Sequence, residues 1–164
     1  MTEIADLAPC NYFPVSEPHN LVAVGWLSAS STYTSGAISD EFLEHLAVLI
    51  QRPWQPPFVT AGIHLCELCH QGVVSKSVFR DRVLPSTSAT NIFVPHNGRI
   101  YVAPEAVGHY VACHRYRPPE EFIEAVLACP PVESMAFKKQ LLACGGRALL
   151  DSSAAQQGVE PDVE

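Results

Sequence analysis

Basic residues are scarce in this chain. Lys and Arg number 10 against 17 Asp and Glu, which gives a formal net charge of −7. A phosphate-binding surface needs clustered cations, whereas Lys138-Lys139 is the one adjacent basic pair. The composition therefore disfavours nucleic acid as a partner and favours another protein; it leaves the oligomeric state open.

Long apolar runs and secretion features are also missing. The longest apolar runs, 21–27 and 46–50, fall far short of the roughly 20 residues that cross a bilayer. The first six residues contain two acids, where a secretory signal carries basic residues. These absences predict no membrane association and a cytoplasmic location, where thiols stay reduced. We therefore expect the six cysteines to be free thiols or metal ligands.

The length of 164 residues suits one domain. We expect an irregular segment over 1–19, a single α+β zinc-binding domain over 20–148 and a disordered acidic tail over 149–164. Apolar patterning predicts strands over 21–27 and 58–65, a β-hairpin of 91–94 with 99–102, and helices over 40–51, 105–114, 119–128 and 132–143. The sequence between 73 and 90 gives no clear assignment.

Three local signals support these elements. Ser39 is a suitable N-cap for the first helix. Asn97-Gly98 suits the positive φ angles of a type I′ hairpin turn. Pro104 is placed to open the second helix, where its missing N–H has no effect.

A Cys66-x-x-Cys69 motif is the main functional signal. Two thiolates at this spacing bind one Zn²⁺ when the backbone between them forms a tight knuckle. The knuckle precedes a hairpin and a helix that bears His109 and His114, an order that resembles a treble-clef zinc module. We therefore expect an α+β fold in which a small antiparallel sheet carries the knuckle, hairpin and ligand-bearing helix, with flanking helices.

The residues that complete the ligand set stay open. At about 100° per residue, His109 and His114 stand roughly 140° apart on a regular helix, unless the last turn tightens. His64, two residues before Cys66 on a strand, points to the same side as that cysteine. Our order of preference is His109, His114, His64 and then Cys113.

The pattern resembles an uncharacterised family of small bacterial proteins over residues 20–128. The resemblance rests on G-x-H-x-C-x-x-C from Gly62 to Cys69 and H-Y-x-x-x-H-x-Y-x-P-P from His109 to Pro119. It implies a metal site built from the knuckle and histidine positions of this sequence, namely His64, Cys66, Cys69, His109 and His114. It implies no activity.

Two functions compete at this point, of which the first, a module without catalysis, is preferred. A shell of two Cys and two His is structural and indicates a zinc-stabilised protein-interaction module. A shell of three protein ligands leaves a place for water and allows a zinc hydrolase, with Glu67, His64 or His114 handling protons. Thiol redox chemistry at Cys66 and Cys69 is a third possibility that needs a low thiolate pKa.

Overall fold

The computed structural model describes residues 3–13, 20–57, 63–69 and 76–150, without the side chains of His64 and Lys76. In chain order the elements are β1 (Leu21–Ala23), α1 (Asp40–Gln51), β2 (His64–Leu65), β3 (Lys76–Phe79), β4 (Arg82–Pro85), β5 (Thr87–Ser88), β6 (Asn91–His96), β7 (Arg99–Pro104), α2 (Val107–His114), α3 (Glu120–Ala128), α4 (Met135–Ala143) and α5 (Arg147–Leu150).

The strands form one central sheet and two small ones. The central sheet has the order β1-β7-β6, while β2 pairs with β5 and β3 pairs with β4. The α+β class is therefore confirmed. The central sheet is mixed rather than wholly antiparallel, because β1 runs parallel to β7. Parallel neighbours need a long crossover, and the segment between β1 and β7 contains α1 and both small sheets.

Helices cover the central sheet on both faces, and its strands alternate between them. One face packs against α1, α2 and α3 through the side chains of Val22, Val24, Ile92, Val94, Tyr101 and Ala103. The other face packs against α4 through Leu21, Ala23, Phe93, Ile100 and Val102. A strand buried on both faces reads as a continuous apolar run, which is why the sequence around 21–27 lacks polar residues.

The predicted first strand ends early, at Ala23. Gly25 has φ +70, and a Cβ there would lie 2.8 Å from Cγ2 of Val107. The Gly25 N–H donates to Asp6 Oδ1 at 2.9 Å, so the N-terminal segment is tied to this bend. Residues 3–13 also form isolated bridges with β1 and Trp26.

The sequence signals for the hairpin and the first helix are confirmed. Asn97 and Gly98 both have positive φ, 47 and 77, and Ser39 accepts a hydrogen bond from the Phe42 N–H at the start of α1. Pro104 does not open α2. It ends β7, and α2 begins three residues later.

Other predicted boundaries shift or lie outside the described residues. The helices predicted from 119 and 132 begin at Glu120 and Met135. Of the strand predicted over 58–65, positions 58–62 are outside the described residues, as are 151–164 of the predicted tail. No helix in the described part of the chain is long and apolar enough to cross a membrane. The domain division remains a prediction.

The hairpin of β3 and β4 and the short strand β5 were missed by the sequence analysis. Arg80 and Asp81 make the turn between β3 and β4, and Arg80 adopts φ 56. Hairpin turns of this kind normally carry Gly or Asn, so this turn has no sequence signal. Strands β3 and β5 nevertheless contact α2, through Ser77 and Ser88.

Candidate metal centre

Four side chains from two distant parts of the chain converge at one point. The ligand atoms of Cys66, Cys69, His109 and His114 all lie within 4.8 Å of one another. His109 Nε2 lies 3.1 Å from Cys69 Sγ and 3.2 Å from His114 Nε2. His114 Nε2 lies 3.4 Å from the sulfur of Cys66 and 3.4 Å from that of Cys69. This cluster can hold a metal ion.

The short strands β2 and β5, with serines at 86 and 88, hold the Cys66-x-x-Cys69 knuckle in place. β2 pairs antiparallel with β5, and the Cys66 N–H donates to the Ser86 carbonyl oxygen at 2.9 Å. The Ser88 hydroxyl accepts from the Ala106 N–H at 2.6 Å, immediately before α2. The segment 86–88 therefore fastens the two cysteines to the start of the helix that carries the two histidines.

The two histidines converge at the C-terminal end of α2. The N–H of Arg115 bonds to the Tyr110 carbonyl oxygen five residues earlier, and the N–H of Tyr116 bonds to the same oxygen at 3.1 Å. Bonds of this kind close the C-terminus of a helix. The His109 and His114 rings meet at this end of α2, with 3.2 Å between their Nε2 atoms, although α2 is an α-helix through His114.

The residues after α2 fix the end of this helix. Arg115 adopts the left-handed conformation, with φ 55 and ψ 23. Tyr116 is fully buried, and its hydroxyl donates to the Asp6 carboxylate at 2.9 Å. Burial and the adjacent Asp6 carboxylate raise the pKa of Tyr116, so it remains a neutral donor. The N-terminal segment thus anchors the chain two residues beyond His114.

A serine that the sequence analysis missed orients His109. Ser77 Oγ lies 3.1 Å from the Leu84 carbonyl oxygen and 3.2 Å from His109 Nδ1. The hydroxyl has one proton, which it donates to the carbonyl, so it accepts a hydrogen bond from His109 Nδ1–H. That arrangement leaves the lone pair on Nε2, the atom that faces the cluster. Ser77 belongs to β3, whose sequence carries no metal-site signal.

Burial shifts the pKa values of two of the four donors, Cys66 and His109. It raises the pKa of the Cys66 thiol to about 11, against opposing hydrogen bonds from the backbone of Cys69 and Leu68. It also lowers the pKa of His109 to about 4, with a smaller contribution from His114. The His109 ring is therefore neutral and ready to ligate at pH 7, whereas the Cys66 thiol must lose a proton.

The remaining candidates stand apart from this cluster. Cys113 is exposed and is not among the four converging residues. The backbone of His64 pairs with Ser88, but its side chain is outside the described part of the structure, so its role as a ligand remains a prediction. The exposed Glu67 accepts a hydrogen bond from the Ala29 N–H at 3.1 Å.

Comparison with known proteins assigns the chain to a family. A family model described as a domain of unknown function (DUF7919) matches residues 2–127. The chain belongs to the DUF7919 family. The matched region contains all four donors of the cluster and ends within α3. No curated protein and no solved structure gives a significant match to this DUF7919 chain.

The family assignment bears on the resemblance found in the sequence. The DUF7919 family is uncharacterised, as the resemblance implied. The match also begins at residue 2 rather than 20, so it includes the segment that carries Asp6. A bacterial origin remains a prediction.

Proposed function

We propose that the four donors bind one Zn²⁺ and that the chain is a zinc-stabilised module that binds another protein in the cytoplasm. The observation that carries this proposal is the spacing of the donor atoms. Tetrahedral zinc with bonds of about 2.3 Å to sulfur and about 2.0 Å to nitrogen separates two nitrogens by roughly 3.3 Å and a sulfur from a nitrogen by roughly 3.5 Å. The distances within the cluster are 3.2 Å for nitrogen to nitrogen and 3.1–3.4 Å for sulfur to nitrogen.

The donor chemistry also favours zinc. Two thiolates and two imidazoles form the soft-to-borderline set that selects Zn²⁺ over Mg²⁺ or Ca²⁺, which prefer oxygen. The order of knuckle, hairpins and ligand-bearing helix supports a treble-clef-like arrangement. Reduced thiols are required for ligation, which supports a cytoplasmic location.

Four protein donors favour a structural role over hydrolysis. A hydrolytic zinc keeps one position for water, whereas two Cys and two His complete a tetrahedral shell. Glu67, assigned by the hydrolase hypothesis to proton transfer, is engaged with the backbone N–H of Ala29. The raised pKa of Cys66 opposes the redox hypothesis, because redox-active cysteines have lowered pKa values.

Surface composition supports a protein partner. Among the described residues, Ile63, Val78 and Met135 each expose more than 60% of their surface, and a protein partner that covered them would remove apolar surface from water. Two of the few cations are engaged in ion pairs: Arg80 pairs with Glu44 and Arg117 pairs with Glu120.

Metal analysis of the purified chain tests the zinc assignment. We expect close to one zinc per chain after purification without added metal, and a large loss in Cys66→Ser, with Cys113→Ser as the matched control. A chain that holds no zinc, or holds it equally in Cys66→Ser, contradicts the assignment.

Direct binding to a protein partner tests the second half of the proposal. We expect a partner isolated from native cells to bind the purified zinc-loaded chain directly and to lose affinity for Cys66→Ser.

Removal of the Ser77 hydroxyl will weaken metal binding without unfolding the zinc-loaded chain. Loss of an outer hydrogen bond to a ligating histidine typically costs about 10- to 100-fold in metal affinity. We expect a loss of this size in Ser77→Ala, measured by competition with a chromophoric chelator, and recovery in Ser77→Thr. Ser35→Ala, which makes the same change at an exposed position, is the control; equal affinities in Ser77→Ala and Ser35→Ala contradict this orienting role.

Zinc binding at pH 7 will release protons. The Cys66 thiol is protonated at this pH because burial raises its pKa to about 11, and the metal binds the thiolate. Protons compete with the metal, so the zinc affinity falls as the pH falls, at least tenfold per unit between about pH 8 and pH 7. Calorimetric titrations in buffers of different ionisation enthalpy measure the release; a heat independent of the buffer contradicts it.

A further inference from the structure

A cleft separate from the metal cluster lies beside α1. It has a volume of about 500 Å³ and is lined by α1, the end of α3 and the segment 130–133. A second cleft of about 400 Å³ adjoins it and shares the side chains of Val48, Arg52 and Arg82. Pockets of 300–1,000 Å³ or so hold small organic molecules. The four metal donors line neither cleft.

Part of the lining of the larger cleft is apolar. Its lining includes Val48, Leu49, Val126, Pro130, Pro131 and Val132. Val126 and Leu49 are buried in the core, while Val48 remains 45% exposed on the surface of α1. Because Val48 borders both clefts, an apolar group placed on this wall would cover side-chain surface that now faces water, which is favourable.

Two arginines, Arg52 and Arg82, line both clefts. Arg82 Nη1 donates to the amide oxygen of Gln51 at 2.9 Å, which is a neutral partner. Arg52 forms no ion pair with any described residue. A guanidinium group recognises carboxylate through two parallel hydrogen bonds.

None of the acidic side chains nearby forms an ion pair with Arg52 or Arg82. Glu44 lines the larger cleft but pairs with Arg80 at 2.8 Å. Glu133 also lines it, and Asp81 lines the smaller cleft together with both arginines. The two guanidinium groups therefore keep their hydrogen-bonding faces open to an anion, on a protein whose net charge is −7.

We propose that this cleft binds a small amphipathic carboxylate, with its apolar tail against Val48 and Val132 and its carboxylate at Arg52 and Arg82. The apolar wall and the two guanidinium groups lie within one cavity, and together they match both ends of such a molecule. This site is independent of the metal, so its failure leaves the zinc proposal intact.

Calorimetric titration of the full zinc-loaded chain with octanoate tests the site. We expect saturable binding of octanoate and at least tenfold weaker binding of acetate, which lacks the tail, and of octanol, which lacks the charge. Arg52→Gln will weaken octanoate binding about tenfold, since a charge-assisted hydrogen bond is lost. Arg99→Gln, an exposed arginine outside the cleft, will leave it unchanged.

A second pair of variants tests the apolar wall. Val48→Asp places a like charge against the carboxylate and will abolish binding. Val83→Asp is its matched control, because Val83 is 46% exposed and lies outside both clefts. The proposal is overturned if octanoate does not saturate, if octanol binds as tightly as octanoate, or if Arg52→Gln and Val48→Asp bind octanoate as well as their controls do.

Discussion

Removal of the metal will unfold the part of the chain that contains the knuckle, the β3–β4 hairpin and α2. Structural zinc contributes on the order of 10 kcal/mol of apparent folding free energy, while whole domains are stable by about 5–15 kcal/mol. The loss therefore removes most of the stability of the region that contains Cys66, Cys69, His109 and His114. We expect a strong chelator to lower the melting temperature sharply and to expose α2 to hydrogen exchange.

Variants at cysteine positions separate this effect from a general loss of thiols. Cys66→Ser should behave as the chelated protein does, with or without added zinc. Cys113→Ser should match the parent chain, because Cys113 is exposed and stands outside the cluster. Unchanged melting curves after chelation and in Cys66→Ser would show that the fold does not depend on the metal.

Gly108→Val will destabilise the fold and weaken metal binding at the same time. A Cβ at Gly108 would lie 2.6 Å from Cδ1 of Ile50 and 3.0 Å from Cδ2 of Leu84, and both side chains are buried. Overpacking of this kind costs about 1–3 kcal/mol. It also pushes α2 away from α1 and β4, which displaces the adjacent His109, so we expect zinc affinity to fall about tenfold.

The same helix supplies the control for this substitution. Ala112→Val adds a β-branched side chain at an exposed position of α2. It lowers the free energy of unfolding only through the lower helix propensity of valine, by about 0.6 kcal/mol. Gly108→Ala is a graded variant that should retain the fold if valine prevents folding. Denaturant unfolding and zinc competition measure both effects. Equal stability and affinity in Gly108→Val and Ala112→Val contradict the close approach of α2.

The elements with strong local patterns could be predicted from the sequence. Asn97-Gly98 between two apolar runs indicated a hairpin, and Ser39 before an apolar stripe indicated a helix. Both signals depend on neighbouring residues, whose effect on the backbone is local. The conspicuous Cys66-x-x-Cys69 motif and the two helix histidines likewise predicted the four donors that converge.

Other features depend on tertiary contacts and had no local signal. Gly25 ends β1 because Val107 and Asp6 approach it, and neither is near it in the sequence. The turn at Arg80 and Asp81 lacks the usual hairpin residues, so β3 was missed, and Ser77 with it.

The same limit applies to the two histidines of α2. Helix periodicity placed His109 and His114 on different faces, and a tighter last turn was expected to bring them together. Their rings meet at the end of α2, where two backbone bonds to the Tyr110 carbonyl close the helix and the contact between Tyr116 and Asp6 anchors the chain. A partner 110 residues away in the sequence could not be found from the local pattern.

X-ray absorption at the zinc edge of the metal-loaded chain shows directly which atoms bind the metal. We expect a four-coordinate shell of two sulfurs at about 2.3 Å and two imidazole nitrogens at about 2.0–2.1 Å. Cys66→Ser should lose one sulfur from that shell, and Cys113→Ser should leave it unchanged. A shell with fewer than two sulfurs, or one completed by a water oxygen in place of an imidazole, contradicts a closed structural site.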